Sequence, residues 1–324
     1  LILCAGFSTC TYAEQKPAQV EPVEHIIKLK NIIVTGTKEG ELDLQTVPAA
    51  ITAYTAEDID EAGIANIEDL ALLTPGLNLS RNGQSTRLYM RGIGSNLDFI
   101  GSDPSVTVHV DGVYQSRTTG ILNDFLDVER VEVLRGPQGT LYGRNSTGGT
   151  INLLTKLPEV KTEGKVVAEL GSYNYLSTGG ALSGALFGDT VLGRIALMKT
   201  DHDPYVKNTN PNGIDGLLDD DSLSTRGALR FMLDEHSEFV LRADYSDIDR
   251  HPGAYKPTLT TTTGGVPSLA GSVVLPADPW SMNVTDIDPY TKITAWGASA
   301  EYARALSPEM TLVSLTAYRD LDTN

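Results

Sequence analysis

Five histidines, His25, His109, His202, His236 and His251, are the first residues to test for metal or acid–base chemistry, and their spacing does not serve it. A metal site needs ligands that converge, as two imidazoles do at i and i+4 on a helix. No two of these histidines lie that close. The run Asp219, Asp220, Asp221 offers oxygens to a divalent cation, but an acidic run of this kind reads first as a solvated loop. Gly143 and Gly148 have the glycine spacing of a phosphate-binding loop, yet Gly149 stands where the essential lysine must be. Both cysteines, Cys4 and Cys10, fall in the first ten residues. No nucleophile–base pair and no paired acids emerge. The expectation is a chain with no metal, no cofactor and no enzymatic activity.

The elements that would position any binding residues divide into two textures. Residues 32–156 have a mixed pattern. Thr55 precedes Ala56, Glu57 and Asp58 as an N-cap precedes an acidic first turn, which predicts a short helix. Ile67, Leu70, Ala71 and Leu73 fall on one face of a second helix, which Pro75 and Gly76 end. Short strands follow at 86–91, 105–111 and 128–134, and Asp111 with Gly112 marks a hairpin turn. The block is expected to be an α+β domain.

From Gly164 onward helical periodicity gives way to alternation. Gly227, Leu229, Phe231 and Leu233 oppose Arg226, Ala228, Arg230, Met232 and Asp234. Phe239, Leu241, Ala243 and Tyr245 oppose Glu238, Val240, Arg242, Asp244 and Ser246, and Trp296, Ala298, Ala300 and Tyr302 oppose Gly297, Ser299 and Glu301. Such two-faced strands suit a half-buried soluble sheet or the wall of a membrane barrel. Strands are read at 164–171, 176–187, 190–202, 223–234, 237–249, 293–305 and 310–321. Short turns alternate with the long connections 203–222 and 250–292, an asymmetry typical of outer-membrane barrels. Trp296 and Tyr302 stand roughly 20 Å apart along a strand, near opposite edges of an apolar band ~25 Å tall. Seven strands do not close a single-chain barrel of even strand count, so the barrel portion is expected to be truncated.

The motifs within the first block carry a specific resemblance. Asp111, Gly112, Val113 and Tyr114, the continuous stretch 128–145 and the stretch 148–156 resemble the plug domain of TonB-dependent outer-membrane receptors, with Val47, Pro48 and residues 73–77 fitting its beginning. The resemblance implies an α+β plug domain followed by antiparallel transmembrane β-barrel strands, an incomplete portion of a barrel of about 22 strands. The implied boundaries are a signal-peptide remnant at 1–13, a flexible lead with the TonB box at 14–44, the plug at 45–156 and barrel strands at 164–324.

The same resemblance implies the roles of particular residues. Ile32, Ile33, Val34, Thr35 and Gly36 look like the TonB box, and a β-branched extended segment is suited to adding a strand to a partner's sheet edge. Arg91 and Arg135, each followed by glycine, match plug arginines that pair with barrel glutamates. Gly136, Gly139, Gly143, Gly148 and Gly149 are expected to supply sharp turns and close approaches. Asn96, Asp98, Phe99, Tyr114, Gln115 and Arg117 are candidates for the ligand-facing apex, the aromatic rings to stack and the polar groups to hydrogen-bond. The implied function is energised uptake of a scarce nutrient, foremost a ferric siderophore. Cobalamin, haem, nickel chelates and oligosaccharides remain alternatives, as does an ungated porin. The implied partners are TonB with its inner-membrane energising complex, a small chelate or nutrient ligand, and outer-membrane lipid.

Composition agrees with an exported protein that does not bind nucleic acid. The net charge is −17, which disfavours phosphate backbones as partners. Tyr supplies 13 aromatic residues against 6 Phe and 2 Trp, a bias suited to wet apolar interfaces. Leu1 to Ala13 is apolar and uncharged, and Thr11, Tyr12 and Ala13 fit a signal-cleavage site. No apolar stretch of ~18 residues offers a transmembrane helix. The expected location is the bacterial outer membrane.

Overall fold

The computed structural model describes residues 32–36, 42–47, 49–82, 85–95, 103–117, 125–251, 278, 280–282 and 290–323. The expected signal remnant, its cleavage site and the lead up to residue 31 lie outside the described residues.

The first block opens with a two-residue ladder, β1 (Ile33–Val34) against β2 (Leu42–Asp43). Strand β3 (Ile51–Thr55) leads into α1 (Ala56–Ala62). Thr55 caps α1: its side chain accepts from the Asp58 backbone N–H while Asp58 accepts from the Thr55 backbone N–H, a reciprocal box. Gly63, at φ 66°, takes the left-handed stop. Asn66 caps α2 (Ile67–Leu73) through the amides of Glu68 and Asp69. The buried face of α2 is Ile67 and Leu70, with Ala71 packed beside it. Leu73 departs from the expected face, because at 47% exposure it points to solvent.

Strands β4 (Leu77–Asn82), β5 (Ser85–Met90) and β6 (Ile93–Gly94) form a small meander. Strands β7 (Val106–Val110), β8 (Val113–Gln115), β9 (Val128–Arg135) and, after a one-turn α3 (Gly139–Tyr142), β10 (Gly149–Thr155) complete a five-stranded sheet with β3. Its order is β3-β9-β10-β7-β8, so β3 and β8 are the two edges. Strand β10 pairs parallel to β7 and antiparallel to β9. The core under this sheet gathers Ile59, Ile64, Ile67, Leu70, Met90, Val108, Val131, Val133 and Ile151. A separate small cluster, Val34, Val47 and Ala53, lies under β1 and β2.

The second texture folds as the alternation demands. Strands β11 (Glu163–Leu170), β12 (Leu176–Phe187), β13 (Val191–His202), β16 (Asp220–Asp234), β17 (Ser237–Arg250), β19 (Thr291–Ser307) and β20 (Met310–Thr323) make one antiparallel meander, each strand beside its neighbour in the chain. The long connections carry a further small sheet of β14 (Val206–Asn208), β15 (Gly216–Leu217) and β18 (Ser281–Met282). All seven expected long strands are present, with ends displaced by three residues or fewer.

The two faces of this wall differ sharply. Leu182, Ile195, Leu229, Leu241, Tyr245 and Trp296 lie on the outer face at 37–62% exposure. The opposite face buries Ser177, Ser183, Arg194, Ala196, Thr200, Ser224, Val240 and Ala295, and it is the face that contacts residues 32–156. A soluble sandwich would cover the apolar face. Here the apolar face is open and the polar face is covered, the arrangement of a sheet whose solvent on one side is lipid. Among the described residues no helix is long and apolar enough to cross a membrane.

Candidate functional site

The N-terminal pentapeptide is docked, not free. Ile33 pairs with Asp43 and Val34 with Leu42, and Val34 is fully buried. The Thr35 backbone N–H donates to Glu132 Oε1 at 2.8 Å. Glu132, on β9, is itself completely buried and also accepts from Arg130 Nε at 2.9 Å and, at 3.4 Å, from Asn152 Nδ2. Arg130 Nη2 reaches the Thr35 hydroxyl at 3.1 Å. Gly36 fits because a Cβ there would stand 2.8 Å from Glu132 Oε2. The sequence pattern gave the β-branched segment and missed its acceptor, since nothing local marks Glu132 as inward.

Those contacts are modest against their cost. A hydrogen bond to a charged group contributes about 1.5–3 kcal/mol and burial of one valine a similar amount. Ordering five residues costs roughly 1–2 kcal/mol each. These contacts give about 3–6 kcal/mol against about 5–10 kcal/mol of ordering cost, so by themselves they do not hold the segment firmly.

The expected latch arginines stand differently from each other. Arg91 has φ 51° and an exposed side chain, and its backbone N–H donates to Gly76 O at 2.7 Å. Arg135 is half-buried, its backbone N–H donates to Ala50 O, and its buried Nε finds no hydrogen-bond partner among the described residues. Neither makes an ion pair among the described residues.

Ion pairs that do join the two parts run with the opposite polarity. Arg194 on β13 grips Asp127 with both arms, Nε to Oδ2 at 2.5 Å and Nη2 to Oδ1 at 2.6 Å. The two side chains are only 6% and 8% exposed. Arg226 on β16 donates to the Leu126 carbonyl at 2.6 Å. Arg242 on β17 lies 3.7 Å from Asp111, and Lys165 on β11 lies 2.6 Å from Asp60. Each described ion pair between residues 32–156 and 163–323 has its base on the wall and its acid on the inner block. Arg319 on β20 crosses over Gly297 to reach Asp244 with both arms at 2.9 Å, and a Cβ on Gly297 would meet Arg319 Nη1 at 2.7 Å.

Of the apex candidates, Tyr114, Gln115 and Arg117 are described, while Asn96, Asp98 and Phe99 lie outside the described residues. The three described residues leave the hairpin turn at Asp111 and Gly112, which takes φ 49° and 79° as a two-residue turn requires. Asp111 also accepts the backbone N–H and the hydroxyl of Thr155, both at 2.8 Å. Tyr114 packs on His109 at 5.5 Å, Gln115 is buried and donates to Val113 O, and Arg117 is exposed. Gln115 and Arg117 share a small cleft with Ala295 and Arg319 of the wall. A larger cavity of about 250 Å³ lies between α1, residues 125–128 and the wall, lined by Asp60, Lys165, Tyr175 and Met198 among others.

The glycine-rich stretch is a turn framework. Gly143 stands at φ 78°, and its carbonyl accepts from the Ser146 hydroxyl at 2.7 Å. Gly149 has Leu134 O only 2.5 Å from where a Cβ would be. Gly136 has φ 108°, and Gly148 closes on Ile93 O. Gly139 is the exception to the expected set: it starts α3 without positive φ and with open space around it. Tyr142, at the end of α3, has its phenol pushed far up by burial and then by the charge of Glu132. No group of histidines, cysteines and acids among the described residues is arranged to hold a metal ion.

Against known proteins, residues 43–150 match the family described as TonB-dependent Receptor Plug Domain. The pesticin receptor of Yersinia pestis is 32% identical over 170 residues, which are 52% of this chain and 25% of that protein. The ferripyoverdine receptor of Pseudomonas aeruginosa is 31% identical over 208 residues, 62% of this chain and 23% of that protein. The crystal structure of the ferric yersiniabactin uptake receptor FyuA from Yersinia pestis superposes with a TM-score of 0.73 at 24% identity, covering 85% of this chain and 41% of that one. This chain therefore spans about a quarter of the length of the curated relatives it matches.

Proposed function

We propose that this chain, whose residues 43–150 are a plug domain of the TonB-dependent receptor family, belongs to an outer-membrane receptor that imports a scarce nutrient, foremost a ferric siderophore, on energy supplied from the inner membrane. The observation that carries this reading is the segment Ile32 to Gly36 docked on a block that lies against the polar face of an outwardly apolar sheet. Relatives above 30% identity include two named as receptors, one of them for ferripyoverdine, and one named as a vitamin B12 transporter.

Each group then has a part. Ile32, Ile33, Val34, Thr35 and Gly36 leave Glu132 and add as a strand to TonB. Tyr114, Gln115 and Arg117 offer an aromatic face, an amide and a cation toward the ligand, with Asn96, Asp98 and Phe99 completing the apex. Arg91 and Arg135 pair with carboxylates of barrel strands beyond the seven described, which gives Arg135 Nε the acceptor it lacks here. Gly136, Gly143, Gly148 and Gly149 hold the turns that keep the plug compact enough for the lumen. The chain binds and gates; the energy is not its own.

The test is growth and radiolabelled uptake in a strain lacking the gene, supplied in turn with ferric chelates, a corrinoid and haem. The expected result is loss of uptake of one ferric chelate, restored by the gene and dependent on TonB. Uptake of every compound at parental rate, or uptake independent of TonB, contradicts the reading.

A further inference from the structure

We propose that Arg194, Arg226 and Arg242 form an inward-facing belt that anchors the plug to the wall, with the Arg194–Asp127 pair as its main fastening.

The belt is level. Arg194 pairs across to Ala228 and Ala228 to Arg242, so these two arginines share one row of the wall. Arg226 sits in the next inward row, beside Ala196 on one side and Asp244 on the other. Three neighbouring strands thus present guanidinium groups at nearly one height. Arg194 meets Asp127 and Arg226 the Leu126 carbonyl at hydrogen-bond distance, while Arg242 bonds the wall's own Glu301 at 2.7 Å and stands 3.7 Å from Asp111.

The targets are shaped for the purpose. Asp127 has φ 56°, a left-handed backbone whose cost a tight fit must offset, whereas the φ 49° of Asp111 is what its hairpin turn requires. The Asp127 carbonyl accepts from Lys156 N–H and the Asp111 carboxylate from Thr155, which ties the two acids to the end of the same strand, β10. A two-armed guanidinium–carboxylate pair with both partners under a tenth exposed is nearly unscreened by salt, and removing one partner strands a buried charge. Lys165 with Asp60 is half-exposed and correspondingly weak.

Strand order places the contacts. Thr35 is held by Glu132 of β9, and the small cluster beneath it includes Ala53 of β3, an edge strand paired only with β9. Asp127 stands immediately before the same strand β9, and Asp111 follows β7 in the turn to the other edge strand, β8. The fastenings to the wall therefore fall on β9 and on the β7–β8 turn, two strands away.

The test uses the protein at its natural full length, purified without TonB, so that its outcome is independent of the transport reading. Backbone amide exchange around residues 126–128 and single-channel leak in a planar bilayer are measured for Asp127→Asn, Arg194→Gln, Arg194→Lys, Glu163→Gln and the double variant Asp127→Asn with Arg194→Gln. Glu163 touches Arg194 from the wall alone, so its variant controls for local packing. Expected are exchange rates raised about 100-fold by Asp127→Asn and by Arg194→Gln, a smaller rise with Arg194→Lys, near-parental behaviour for Glu163→Gln, and a double variant no worse than either single. Leak rises in the same order. If the Arg194 variants fail to assemble, Asp127→Asn, which is nearly isosteric, decides alone. Silent Asp127→Asn, additive singles, or Glu163→Gln as damaging as Asp127→Asn overturns the anchor.

Discussion

The Glu132 carboxyl group has no exposure to water, and the Thr35 amide is one of its donors. Replacing Glu132 with alanine removes the acceptor of the docked segment and leaves Arg130 facing a gap. Amide exchange at Thr35 is expected to rise at least tenfold, with a loss of about 3 kcal/mol in plug stability; unchanged protection at Thr35 would place the docking elsewhere. The glycines offer a paired comparison. Gly143→Ala forces a Cβ into φ 78° and should cost about 1 kcal/mol or more, whereas Gly139→Ala, with open space and helical backbone, should be neutral or stabilising by up to about 1 kcal/mol. Equal effects in thermal melts would contradict the assignment of turn roles. Tyr142 adds a pH dependence of known sign. Its phenol is raised in the folded state by burial and by Glu132, so the unfolded chain releases that proton first, at a pH of about 10. The stability it contributes is whole below that pH and declines above it, and Tyr142→Phe should flatten the alkaline side of a melting-temperature profile.

At the level of elements, the wall strands carry the plainest signal. Leu229 and Leu241 point outward and Arg226 and Arg242 inward on neighbouring strands. An arginine introduced at Leu229 should cost about 2–4 kcal/mol near the bilayer centre and lower the fraction that inserts into lipid vesicles; full insertion would mean that this face does not meet lipid. The alternation that supports this prediction could be read directly from the sequence, because period two in a half-polar strand survives any error of a residue or two at its ends. Helices α1 and α2 of the plug were legible, the first from its cap Thr55 and acidic first turn, the second from the spacing of Ile67, Leu70 and Ala71; the Asn66 cap and the one-turn α3 were not. In the plug's sheet β7 and β9 were legible as strands, but the remaining strands and the pairing were not. Strand β3 and the parallel pairing of β10 with β7 depend on partners more than 40 residues away, and no local pattern encodes them. Leu73 failed for a related reason, since a helix of only two turns does not enforce one face to its end. The wall arginines were visible as charges on the inner face, but which of them meets Asp127 or Asp111 is a property of docking, and the short loop residues that bear those acids looked like ordinary turns.

For the molecule as a whole, two surfaces with contrary solvents meet on one sheet, and the polar one is filled by a separately cored block. The block is fastened to the wall at Asp127, while residues 32–36 hold to the block by few contacts. On the function proposed above, residues 32–36 are dispensable for folding and for ligand capture but not for transport. The most direct measurement is therefore uptake and surface binding of the ferric chelate, side by side, in cells carrying the full-length protein with residues 32–36 deleted. The account predicts ligand binding within about twofold of the parent together with uptake reduced to the level of a strain without TonB. Parental uptake by the deletion protein would contradict it.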